Sequence, residues 1–392
     1  MPRVFGQPRK AERDSGAAVV VGPRQIVPGR RGSSACRRVA FVTPCYYLGG
    51  VETVNCALAD GLPRDEFAAD VVCYTSTEET VAADADHWDR IVTLGPVETY
   101  GRPCPDALSD LLEWVLRDYA LVVAALCCEP LRAAHKLGLP AIEYWHGVCG
   151  WNSMDKPAAR ILAVSRDTLD ATRARRMGLL PPCEVLYNGL DVQRFSSLRR
   201  DPGAAGFGLR GAEKVLLYCG RLSHEKRPED AIAVAGLLHR RNPAWKLLLA
   251  GEVYSYNREH YLRLMQAAGL VPGRDVAWVS LARDQVARAY AAADCLLHPS
   301  LEEGFGMVLA EALAAGVPIV TTGVGGSGEV VGEAALRVPV RDTAAMAEAV
   351  ASIFTDDATA GWLAQAGRER AKLFRIEAQQ ERFLQIVREM VA

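Results

Sequence analysis

Eleven cysteines are scattered along this 392-residue chain, yet no two have C-x-x-C spacing. That absence argues against a zinc module and against a disulfide scaffold. No apolar run is long enough to span a bilayer, and nothing near Met1 has the make-up of a secretory signal. The expectation is a cytoplasmic, reduced protein without a membrane span. Net charge is also nearly missing, at −2, so no global basic field invites nucleic acid.

What is present is apolar material for more than one core. Hydrophobic residues make up 50% of the chain and charged ones 23%, over a length that suits two domains. Residues 1–38 carry Arg3, Arg9, Lys10, Arg13, Arg24, Arg30, Arg31, Arg37 and Arg38 against Glu12 and Asp14. Rich in Gly and Pro and without a period, they read as a disordered basic arm. Short buried strands follow at Val39 to Thr43, Ala69 to Tyr74, Arg90 to Leu94, Leu121 to Cys127 and Ala141 to Trp145. After the polar stretch Ser196 to Gly208 the pattern restarts, with strands at Lys214 to Cys219, Leu247 to Ala250, Val276 to Val279 and Pro318 to Thr322. Helical patterns separate many of them, and alternation of this kind predicts parallel, doubly wound α/β sheets. The expected domains are 39–195 and 209–375, with a last helix over 376–392.

One stretch organises the rest. The apolar run Ala293 to Leu297 ends at His298-Pro299-Ser300, as a strand leaving a sheet does; Glu303-Gly304-Phe305-Gly306 comes next. A helical pattern then runs to Gly316, with Pro318 beyond it. Glycines permit a sharp turn and leave the amides of Gly306, Met307 and Val308 free at a helix start, where phosphate is attracted. Glu311 is expected about two turns beyond Glu303 on the same face, placed to accept hydrogen bonds from a ribose. In the second domain's first turn, Arg221 and Lys226 follow the strand ending at Cys219, two cations suited to a diphosphate. In the first domain, Gly49-Gly50 follows the first strand and His146 the strand ending at Trp145, both where ligands approach an open sheet.

Glu303-Gly304-Phe305-Gly306 with Glu311 resembles the E-x7-E signature of glycosyltransferase family 4, retaining enzymes of the GT-B fold. Gly220-Arg221-Leu222 with Lys226 is similar to that family's diphosphate motif, and Asn188-Gly189 with Asp191 and Phe195 to its interdomain linker. The resemblance covers about Val39 to Val391. It implies two Rossmann-like domains facing a cleft, the last helix crossing back to the first domain. It also implies a nucleotide-sugar donor that is a substrate rather than a cofactor, UDP-linked, and no metal. Carried over, Glu303 approaches the donor sugar, Gly304 to Val308 hold the diphosphate, Glu311 binds the ribose and Leu281 lies by the base. Arg221 and Lys226 neutralise the leaving group, while His146, Gly49 and Gly50 line the sugar pocket from the first domain. The Arg- and Ala-rich composition and the first domain resemble hexosyl- and kanosaminyltransferases of aminoglycoside pathways. That implies a small polyhydroxylated or amino acceptor, with no membrane or nucleic-acid partner.

Rival readings compete at three places. Asp84-Ala85-Asp86 has the D-x-D spacing of metal-dependent transferases, but its polar surroundings read as a solvated loop. Gly323-Val324-Gly325-Gly326-Ser327-Gly328 fits the dinucleotide fingerprint G-x-G-x-x-G, though it falls late in its domain and resembles the family's turn before Glu329. Glu143, Tyr144, Trp145 and Trp151 are acidic and aromatic residues suited to hold an amino sugar, and the rival reading is a buried structural role for each. The alternatives in activity are a GT-B-like nucleotide-sugar epimerase, a non-catalytic sugar-nucleotide binder, and transfer to a lipid or polysaccharide acceptor.

Overall fold

A computed structural model of the chain describes residues 25–29, 37–44, 49–74, 84–94, 106–125, 127–147, 158–175, 180–199, 206–209, 214–251 and 258–392. Cys45 to Leu48, Trp151 and most of the basic arm lie outside the described residues. The strands are β1 Gln25–Pro28, β2 Arg37–Thr43, β3 Phe67–Cys73, β4 Arg90–Thr93, β5 Leu121–Ala125, β6 Ala141–Trp145, β7 Arg160–Ala163 and β8 Cys183–Val185 in the first half. In the second half they are β9 Lys214–Cys219, β10 Trp245–Ala250, β11 Val276–Val279, β12 Cys295–His298, β13 Ile319–Thr321 and β14 Leu336–Arg337.

The two sheets share one winding. The first runs β1-β4-β3-β2-β5-β6-β7-β8 and the second β11-β10-β9-β12-β13-β14. Among these pairs only β1–β4 is antiparallel. Every residue of β3, β5 and β6 is buried, the continuous apolar pattern of parallel strands covered on both faces. One expectation fails: Gln25–Pro28, inside the arm read as disordered, forms β1 on the edge beside β4. The edge of β4 offers unpaired backbone groups, and pairing them satisfies a short segment that has no hydrophobic period of its own.

Winding order sets where a ligand can bind. The order in which strands are added reverses between β2 and β5 in one sheet and between β9 and β12 in the other, although both pairs are parallel. A crevice opens beyond the strand ends at each reversal, because the two connections leave to opposite faces. Gly49 follows β2, residues 220–226 follow β9 and residues 299–306 follow β12.

The two halves are tied at a crossing and by the last helix. Leu190 and Arg375 lie side by side, with Leu190 N–H donating to Phe374 O at 2.7 Å and Ile376 N–H to Leu190 O at 3.0 Å. Beyond that crossing the helix Ile376–Met390 lies on the first domain. Phe383 is fully buried with its ring 5.9 Å from that of Phe41 in β2, and Gln380 Nε2 donates to Ala57 O at 2.7 Å. Arg388 reaches Glu66 at 3.0 Å on the surface. Burial of an aromatic ring outweighs an exposed ion pair. Phe383→Ala should therefore cost about 3–5 kcal/mol in chemical denaturation, whereas Arg388→Ala should leave the curve essentially unmoved. Equal effects would show that the helix is held at its rim.

Candidate active site

β12 delivers His298 to the edge of the crevice, and the chain turns through residues 299–306 before the helix Met307–Ala315 begins. Glu303 therefore sits in the turn, not on a helix face shared with Glu311, as the spacing alone led us to expect. The change of direction happens at Gly306, whose φ of 94° is open to a residue without Cβ. Among the described residues, the amides of Gly306, Met307 and Val308 find no acceptor. Three free N–H groups at the positive end of a helix make a seat for an anion.

Glu303 is the most constrained side chain of the turn. Its Oε2 accepts from Lys226 Nζ at 2.7 Å and lies 3.1 Å from His298 Nε2, with only 13% of the side chain exposed. Burial opposes its ionisation, but the hydrogen bond from His298 and the charge of Lys226 more than offset that, and its pKa falls to about 2. Lys226 thus stands beside Glu303. Arg221 lies on the same turn with its side chain 71% exposed and Glu225 at 3.5 Å.

Glu311 meets the opposite environment. The hydroxyl of Tyr290 lies 2.7 Å from its Oε2 and 3.1 Å from Val308 O. Burial pushes this carboxyl up to about 7, which the hydrogen bond from Tyr290 and the more distant charge of Arg194 only partly resist. Burial likewise raises the Cys219 thiol to about 12, with Glu311 as a nearby like charge. Tyr290 and Cys219 complete this pocket, and neither carried a signal in sequence, each lying in an ordinary apolar stretch.

The first domain closes the other side. The starts of two helices meet here, since a Cβ on Gly50 would lie 3.9 Å from Met307 Cγ. Gly49 precedes that first-domain helix, Gly50–Asp60. His146 follows β6, and burial drops its imidazole to about 3, so it is neutral. Among the described residues its buried Nε2 has no hydrogen-bond partner. Gly304 lies against the His146 backbone, and Gly304 O accepts from Ser165 Oγ at 2.7 Å and Thr168 Oγ1 at 3.2 Å. Ser165 caps its own helix as expected, accepting from Thr168 N–H at 3.0 Å. Its second contact, across the domains, was not legible. Glu329 makes a similar crossing, accepting from Arg166 N–H at 2.7 Å and from the Tyr187 hydroxyl.

Several expected participants are occupied elsewhere. Phe305 is buried with its ring 5.4 Å from that of Phe374, so only its backbone reaches the crevice. Leu281 follows β11 and packs partly against the core. Tyr144 and Trp145 are buried in the first domain, Tyr144 donating to Leu186 O at 3.1 Å, and Glu143 is buried too. A parallel strand covered on both faces leaves none of them on the surface for an acceptor. Asp84 is not solvated but buried, and accepts from Arg283 of the second domain at 3.1 and 3.3 Å. Asp84, Cys56 and His87 bring three possible ligand atoms within 4.8 Å of one another, and His87 Nδ1 lies 2.7 Å from Asp60 Oδ2. The glycine-rich turn is filled by protein: a Cβ on Gly326 would stand 1.9 Å from Gly304 O. No pyrophosphate fits between those backbones.

Comparison with known proteins follows the same division. Residues 204–370 match the family described as "Glycosyl transferases group 1", and residues 48–194 match "Glycosyltransferase Family 4". The two matches fall on the second and the first domain respectively, and both families are glycosyltransferase families. Glycogen synthase of Mycobacterium tuberculosis is 36% identical over 194 residues, 47% of this chain and 43% of that protein. D-inositol 3-phosphate glycosyltransferase of Nocardioides sp. is 30% identical over 260 residues, 59% and 57% of the two chains. The chain thus spans about half the length of the curated relatives it matches. Among solved structures, Anabaena HepE in complex with UDP and glucose superposes with a TM-score of 0.76 at 19% identity, covering 89% of this chain and 99% of that one. WaaG, a glycosyltransferase involved in lipopolysaccharide biosynthesis, gives 0.69 at 18%, covering 89% and 99%. These likenesses establish the GT-B fold.

The glycine contacts between the two domains are open to a direct check. A Cβ at Gly304 would stand 2.1 Å from His146 O, whereas one at Gly147 would meet nothing within 4 Å. Gly304→Ala should lower stability by about 1–3 kcal/mol, and Gly147→Ala should melt like the parent. A tolerated Gly304→Ala would mean that the two domains are not held in this contact.

Proposed function

We propose that this protein is a retaining, metal-independent hexosyltransferase. It moves a hexose or amino-hexose from a nucleotide sugar, UDP-linked, to a hydroxyl of a small polyhydroxylated acceptor. The observation that carries this is the turn at Glu303, where free amides, a cation and an ionised carboxylate converge beside a neutral histidine. Breaking a sugar–phosphate bond builds negative charge on the diphosphate and positive charge on the sugar. The amides of Gly306 to Val308 and the ammonium of Lys226 answer the first, with Arg221 on the neighbouring loop. Ionised Glu303 answers the second. With Lys226 and His298 both on Oε2, Glu303 serves as an orienting group rather than a covalent nucleophile. Retention then follows if the acceptor hydroxyl attacks on the face the diphosphate leaves and passes its proton to that phosphate. Neutral His146, with an unpartnered Nε2, offers a hydrogen bond to a sugar hydroxyl. Glu311, Tyr290 and Leu281 form the nucleoside end.

UDP is favoured because the Anabaena neighbour holds UDP and glucose. A polyhydroxylated acceptor is favoured by the D-inositol 3-phosphate glycosyltransferases among the relatives. An aminocyclitol glycoside of antibiotic biosynthesis remains in the proposed class through resemblance alone, since Glu143, Tyr144 and Trp145 are buried. Incubation with UDP-, GDP- and ADP-sugars against inositols, paromamine-like compounds and glucans tests both ends. Transfer to glucan alone would replace the small acceptor by a polysaccharide, and donor turnover without any acceptor would favour the epimerase.

Cation use is tested separately. Exhaustive EDTA should leave the rate unchanged, while Lys226→Ala should lower kcat by about 10²–10³-fold. Loss of activity to EDTA with rescue by manganese would overturn metal independence.

The two glutamates should separate kinetically. Glu311→Gln should raise donor KM with kcat little changed, because ribose contacts alter little on the way to the transition state. Glu303→Gln should lower kcat with donor KM little changed. Protonation of Glu311 removes an acceptor for ribose hydroxyls, so donor KM should rise as pH falls through about 7 and lose that dependence in Glu311→Gln. Glu303, held near 2, contributes nothing to that profile. The reverse pattern would mean that the donor lies the other way across the turn.

A further inference from the structure

Of the two groups that hold Glu303, Lys226 already has a role in the proposed chemistry and His298 does not. His298 is buried at the end of β12, with Nδ1 3.0 Å from Thr321 Oγ1 and Nε2 3.1 Å from Glu303 Oε2. Ser300 Oγ lies 3.2 Å from the same Nε2. Thr321 Oγ1 accepts from Gly323 N–H at 3.1 Å, and the threonine is fully buried. Its hydroxyl hydrogen needs an acceptor, and the one this geometry supplies is His298 Nδ1. Nδ1 therefore accepts, Nε2 carries the proton, and that N–H is directed at Glu303 Oε2 with Ser300 Oγ as a second acceptor. The opposite tautomer would set a ring lone pair against a carboxylate oxygen.

Both donors meet on one oxygen. Lys226 Nζ and His298 Nε2 each bond Oε2, and among the described residues Oε1 makes no hydrogen bond. We propose that His298 is a positioning residue: with Thr321 fixing its tautomer, it clamps Glu303 by Oε2 so that Oε1, without a partner among the described residues, is the atom presented to the transferred sugar. A donor on an imidazole locked between two strands fixes direction as a flexible lysine cannot, since Lys226 approaches from a loop with four rotatable bonds. The inference rests on the reading of Glu303 as the residue that orients the donor sugar.

The test uses the full chain, and its first arm needs no activity. In ¹⁵N-histidine-labelled protein, His298 should appear as the Nε2–H tautomer at neutral pH, and Thr321→Val should disturb that assignment. In the second arm His298→Asn, which keeps a polar group toward Thr321 but cannot reach Oε2, should lower kcat about 100-fold. Donor KM and the melting temperature should change little. His298→Gln, whose amide nitrogen reaches the Nε2 position, should recover most of the rate. His298→Asn combined with Glu303→Gln should be no slower than Glu303→Gln alone, since the histidine acts only through that carboxylate. An Nδ1–H tautomer, a His298→Asn enzyme at parental kcat, or additive losses in the double variant would each overturn the proposal. If His298→Asn does not fold, the tautomer and the kcat of His298→Gln and Thr321→Val decide. A parent enzyme without transferase activity would instead overturn the reading of Glu303, leaving the tautomer result standing.

Discussion

One backbone contact joins the two halves of the site. The carbonyl of Gly304 accepts hydroxyl bonds from Ser165 and Thr168, while its Cα lies against the backbone of His146. A side chain at that position would stand inside the first domain. The second domain's turn is therefore seated at the end of β6, and His146, Glu303 and the free amides share one crevice as a result. Gly326 N–H closes the arrangement from behind by donating to Glu303 O at 2.9 Å. Polar groups used for docking are consumed by docking, whereas the amides of Gly306 to Val308 stay free among the described residues.

The parallel sheets were legible because buried parallel strands write themselves as short continuous apolar runs, and β2, β3, β5, β6, β9 and β12 all do so. The glycine turns were legible too, since Gly306 and Gly304 occupy places where a Cβ does not fit. Contacts between segments far apart in the chain were not. Asp84 looks like a loop residue because its neighbours are polar, yet Arg283, 199 positions away, makes it a buried interdomain pair. Tyr144 and Trp145 look like binding aromatics only until both faces of β6 are seen to be covered. The tautomer of His298 depends on Thr321, 23 residues on, through strand pairing of β12 with β13. No local pattern encodes such a pair; register does.

The same logic explains why the two conspicuous glutamates, eight residues apart, end in different electrostatic states. Glu303 is bonded to a lysine and to an imidazole N–H, and stays ionised across any physiological pH. Glu311 has a tyrosine hydroxyl that it shares with Val308 O and, among the described residues, no cation in contact, so burial dominates and its charge is marginal. Pairs of carboxyl groups driven apart in this way mark divided roles. Under the proposed transfer, a permanent negative charge stabilises a sugar that becomes positive, and its worth grows toward the transition state. A carboxyl of marginal charge gains little from that development. The same proposal gives it the uncharged hydroxyls of the nucleoside, from which its ionised form accepts.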